Sequence, residues 1–69
     1  MFYFFQRGAD FVRCEISGDA AAGYRVTITE PDGTERTETF GTSEAAHTRW
    51  LEIQDSFKRE GWWGPHGRE

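Results

Sequence analysis

The side chains able to do metal or covalent chemistry in this sequence are few and far apart. Cys14 is the single cysteine, and His47 and His66 are the only two histidines. No two of these three stand at the short spacings that metal-ligand pairs use. A lone cysteine acts as a nucleophile when its thiolate is stabilised. Cys14, however, falls within the alternating apolar series Val12, Cys14, Ile16, which predicts a small buried hydrophobe. His47 lies near the start of a helical stretch and His66 in a C-terminal tail. The carboxylate pairs Glu35/Glu38 and Glu52/Asp55 read as solvated faces. The sequence has no phosphate-cradling glycine loop and no nucleophile elbow. It therefore predicts no catalytic residue, no metal site and no cofactor: the chain is expected not to be an enzyme.

What it has instead is rings. Aromatic residues make up 16% of the 69 residues, as six Phe, three Trp and two Tyr. Such rings carry most of the buried area in a short chain, and they also make surfaces adhesive. Where they point depends on the elements that hold them. Four strands are predicted, at residues 1–7, 10–17, 23–30 and 34–40. The third is the clearest, with Tyr24, Val26 and Ile28 alternating with Arg25, Thr27 and Thr29. Gly8-Ala9 makes the first turn and the small-residue stretch from Ser17 to Gly23 the second. Glu30-Pro31-Asp32-Gly33-Thr34 is a three-residue hairpin loop, with Gly33 in the position that favours positive φ. A helix is predicted from Ser43 to Glu60, capped by Thr42 or Ser43. Its apolar stripe is Ala46, Trp50, Ile53 and Phe57, with Leu51 and Gln54 flanking. Gly61 should stop it in a left-handed turn that folds Trp62 back on Phe57.

The turns set a register. Pairing Glu30 with Thr34 puts Tyr24 opposite Phe40, Val26 opposite Glu38 and Ile28 opposite Arg36. The Gly8-Ala9 hairpin pairs Phe5 with Val12 and Tyr3 with Cys14, and pairing Ile16 with Tyr24 joins the two hairpins. One face then holds Met1, Tyr3, Phe5, Val12, Cys14, Ile16, Tyr24, Val26, Ile28 and Phe40. This face is expected under the helix, with Arg36 and Glu38 at its outer strand. The other face should be solvated. Half of it is polar, with Glu15 placed to pair with Arg25. The other half carries Phe2, Phe4 and Phe11 around Arg13, a patch large enough to need an explanation. Three explanations are open. The tail or the protein's own loops cover it, a second copy or another protein covers it, or bases or flat molecules stack on Phe2, Phe4 and Phe11 while Arg13 and Arg25 hold phosphate. Trp63, in the string Gly61-Trp62-Trp63-Gly64-Pro65, is either a docking knob for a partner or packing for the sheet rim.

Size and charge narrow the partners. A chain of 69 residues is one small domain that gains from an added staple. With one cysteine the staple is not an internal disulfide, so dense aromatic packing or a partner subunit remains. The net charge of −4 weighs against a nucleic-acid footprint and against an anionic membrane surface. No apolar run is long enough to span a bilayer. An unpaired cysteine with no export signal predicts the cytoplasm.

Four strands followed by a helix resemble, in topology alone, the PC4-like and Pur-repeat single-stranded nucleic-acid binders. No motif residue of theirs matches a position here, so no site residue carries over. The strings Phe4-Phe5-Gln6-Arg7-Gly8, Cys14-Glu15, Glu30-Pro31-Asp32-Gly33 and Gly61-Trp62-Trp63-Gly64-Pro65 are similar to short bacterial proteins of no established activity. That resemblance implies a bacterial origin. The sequence thus predicts an α+β domain over residues 1–61, a four-stranded antiparallel meander with one C-terminal helix packed on one face. Residues 62–69 form a tail with Trp62 docked and a mobile end. The expected role is protein contact or homodimerisation through Phe2, Phe4, Phe11, Arg13 and Arg25. Single-stranded nucleic-acid binding on the same face is the alternative.

Overall fold

A computed structural model describes residues 2–68 of the chain. Met1, expected under the helix, and Glu69, the end of the tail, lie outside the described residues. The elements are β1 (Phe2–Arg7), β2 (Asp10–Asp19), β3 (Gly23–Thr29), β4 (Glu35–Phe40), α1 (Ser43–Arg59) and β5 (Trp63–Arg68). The fold is α+β, and its sheet is antiparallel in the order β4-β3-β2-β1-β5.

The first four strands form the expected meander. Phe5 pairs with Val12 and Tyr3 with Cys14, and Tyr24, Val26 and Ile28 pair with Phe40, Glu38 and Arg36. The Glu30 amide donates to the Thr34 carbonyl at 2.8 Å, closing the β3–β4 hairpin as its loop chemistry predicts. The central register is corrected. Ile16 pairs with Val26, not Tyr24, and β2 runs on to Asp19. The Asp19 carboxylate accepts hydrogen bonds from the Ala21 and Ala22 amides, so the turn needs only residues 20–22 instead of the whole Ser17–Gly23 stretch. The slip is two residues, an even number, so every side chain keeps its face. It does place Arg25 opposite Ser17 and Glu15 opposite Thr27, which removes the expected Glu15–Arg25 pairing.

The larger correction is at the C-terminus. Four strands were expected, and the sheet has five. Helix α1 starts beside β4, crosses the sheet and ends beyond β1, where the chain turns back. The Trp62 amide donates to Phe57 O at 3.0 Å and the Gly61 amide to Lys58 O at 3.1 Å, with Gly61 at φ +88°. These are the two bonds of a Schellman stop, and the Trp62 ring meets Phe57 edge-on at 5.8 Å. Residues after this stop pair with β1 as Gln6 with Trp63, Phe4 with His66, Tyr3 with Gly67 and Phe2 with Arg68, through a bulge. The tail thus extends the sheet instead of folding over it. Gly64 makes the close approach: it sits at φ +142°, and a Cβ there would lie 2.7 Å from the Phe4 carbonyl oxygen.

The core lies between the sheet and α1. Phe5, Val12, Cys14, Val26 and Ile28 meet Ala46, Trp50, Ile53 and Trp62, all buried. Trp50 is the hub, its ring 4.9 Å from Tyr3 and 5.9 Å from Phe5. Thr42 caps the helix through its hydroxyl, which accepts from the Ala45 amide at 3.1 Å. Leu51, expected beside the apolar stripe, is exposed on the helix's outer side. No described helix is long and apolar enough to cross a membrane.

Candidate interaction face

With Tyr3 and Phe5 turned toward α1, the pleat turns Phe2, Phe4 and Gln6 to the helix-free face. Cross-strand pairing lays that face out in rows. One runs Glu35, Thr29, Arg13, Phe4, His66, and the next Thr37, Thr27, Glu15, Phe2. A third holds Phe11, Gln6 and Trp63. Arg25 lies between Ser17 and Thr39 at the far end. The β3–β4 half is threonine-rich and cross-linked by a Thr27–Thr37 hydroxyl bond of 3.1 Å. The β1–β2–β5 half carries the rings.

The expected residues do not share one environment. Phe2 and Phe4 are half-buried, and the Arg13 guanidinium lies over the Phe2 ring at 5.7 Å. Phe11 is 54% exposed. Trp63 is 74% exposed, so it does not pack against the rim as one of the two readings required. Sequence reasoning assigned Trp63 to a separate tail. Strand β5 brings it onto the same face as Phe11, one strand away on the other side of Gln6. Pro65 and two glycines hid this strand, since all three residues are poor strand formers. The signal available was that an edge strand tolerates proline.

Arg7 was also missed. It stacks its guanidinium over Trp62 at 4.5 Å and donates to the Glu60 carbonyl at 3.1 Å. It thereby ties β1 to the negative end of the helix. Arg49 links the other side, donating from Nε to both Glu38 oxygens at 3.0 and 3.1 Å. This bond pushes the Arg49 pKa further up. Cys14 is fully buried, and burial pushes its thiol up to about 12, against a smaller opposing pull from the Arg36 charge. Such a group is protonated and inert at neutral pH.

On the helix side a groove of about 900 Å³ opens where the first turns of α1 lift away from β2 and β3, beside Tyr24, His47 and Trp50. Among the described residues, no group of three or more His, Cys, Asp or Glu side chains could hold a metal. Comparison of the chain with protein-family models, curated proteins and solved structures finds no match.

Proposed function

We propose that this chain is a small non-enzymatic interaction domain that binds a second copy of itself through the helix-free face of its sheet. The observation that carries this reading is the row Phe11, Gln6, Trp63, in which the exposed large apolar side chains of the sheet stand together. Five strands about 4.8 Å apart and six residues long outline a face on the order of 500 Å². That is at the low end for a specific interface, so the contact is weak and concentration-dependent. Arg25, at the far end of the face, is placed to supply a polar rim contact, and Arg13 stands within the face beside Phe4.

Light scattering across a concentration series tests this. Wild-type protein should rise above monomer mass, and Phe11→Glu with Trp63→Glu should lower that mass. A strict monomer at every concentration, unchanged by the double substitution, would sink the reading. Single-stranded nucleic-acid binding on the same face is supported by the proximity of Phe4, Arg13 and His66 in one row. It is opposed by the net charge of −4 and by Arg13 occupying the Phe2 ring. Titration of a labelled oligonucleotide at low salt separates the two, since the electrostatic attraction is strongest there.

A further inference from the structure

The two edges of the sheet are finished differently. The β5 edge carries Pro65, has glycines at 64 and 67, and is bulged against β1. These features protect an edge from further pairing. The β4 edge carries none of them. Its six residues, Glu35-Arg36-Thr37-Glu38-Thr39-Phe40, run in unbroken register with β3 and hold neither proline nor glycine.

The hairpin bond fixes which backbone groups of β4 point outward. Glu30 and Thr34 form a hydrogen-bonded pair, and bonded pairs alternate along an antiparallel ladder. Arg36, Glu38 and Phe40 therefore bond inward to β3, and the N–H and C=O groups of Glu35, Thr37 and Thr39 point away from the sheet.

We propose that β4 pairs antiparallel with β4 of a second copy, about a two-fold axis at Thr37. In that register Thr37 bonds to Thr37 and Glu35 to Thr39, which uses every outward backbone group of the three residues. Arg36 then stands opposite Glu38 of the second copy, twice, at the non-bonded positions where side chains approach most closely. The charges reject the neighbouring registers. Centring on Arg36 opposes two arginines, and centring on Glu38 opposes two glutamates. A strand whose charges fit its own reversed copy in one register alone is self-complementary in the way a two-fold contact requires.

This contact runs along the β4 edge and does not involve Phe11 or Trp63, the rings that carry the face contact two or more strands away, so the two are tested apart. In the Phe11→Glu/Trp63→Glu background, sedimentation equilibrium should still show a monomer–dimer equilibrium. Adding Arg36→Glu should raise the dimer dissociation constant about tenfold or more, because both cross-pairs become repulsive. Adding Glu38→Arg to that variant should restore it, because the swapped charges pair again. Glu38 also holds Arg49, so helix content is checked by circular dichroism in each variant. Thr37→Pro, which removes an outward N–H and no backbone bond to β3, should abolish the dimer, with Thr37→Val as the control for the lost hydroxyl bond to Thr27. A monomeric Phe11→Glu/Trp63→Glu protein, or a charge swap that fails to restore pairing, would overturn the proposal. An unchanged dimer mass in wild type and Phe11→Glu/Trp63→Glu would instead refute the face contact and leave this one standing.

Discussion

The two faces of this sheet are built from the same strands, yet they are different surfaces. Under the helix, Phe5, Val12, Cys14 and Val26 are fully or almost fully buried, and Trp50 joins Tyr3 and Phe5 in one ring cluster. On the other side, Phe11 and Trp63 stand in solvent among threonines and arginines. The period of two along each strand makes both surfaces, and the helix decides which becomes the core. The lesson is that ring content alone does not locate a core. Phe4 and Phe5 are neighbours in sequence, and the pleat sends one to the half-exposed face and the other to full burial.

The sharpest test of this contrast is Trp50→Ala. It removes the ring that bridges α1 to Tyr3 and Phe5, and should cost about 3–5 kcal/mol. A chain this short has a total stability of roughly 3–10 kcal/mol, so the variant should be largely unfolded or melt far below the wild type. Urea melts followed by tryptophan fluorescence and circular dichroism check this. A loss under about 1 kcal/mol would mean that the helix side is not the organising core.

The helix side was legible because several local signals agreed there. Tyr24, Val26 and Ile28 gave the period, the Pro31-Asp32-Gly33 loop gave the register, and Gly61 gave the stop that buries Trp62. The tail was not legible, because its fifth strand is specified by what β1 offers, an unpaired edge, and not by strand propensity in Gly64-Pro65-His66-Gly67. The Ile16 register failed for a local reason: the Asp19 carboxylate tightens a turn that composition alone makes look longer. The candidate face was half legible. Its phenylalanines followed from the pleat, but adding Trp63 required the missed strand.

Cys14 gives a subtler probe of the buried side. Its thiol is raised from 9.0 to about 12 in the folded chain. Below pH 9 both folded and unfolded chains keep the proton, and the thiol adds no pH dependence. Between pH 9 and about 12 the unfolded chain ionises first, so stability should fall as pH rises. The decline should be shallower in Cys14→Val, which lacks the group. Under native conditions at pH 8 the thiol should resist a disulfide reagent and react on unfolding. Ready modification of the folded protein would place Cys14 outside the dry layer.

The smallest effect on stability belongs to the open face, and that is the point of measuring it. Phe11→Thr exchanges a half-exposed ring for a β-branched polar residue that suits a solvated strand. Its folding stability, measured at concentrations low enough to keep the chain monomeric, should change by less than about 0.5 kcal/mol. A core phenylalanine truncated in the same way costs about 3–5 kcal/mol. If Phe11→Thr instead destabilises the monomer by more than about 2 kcal/mol, then Phe11 is packed within its own chain. The two faces would then differ in degree only, and the ring row beside Gln6 would belong to the core. If stability is unchanged while self-association weakens, the ring is held at the surface for contact and contributes nothing measurable to the fold.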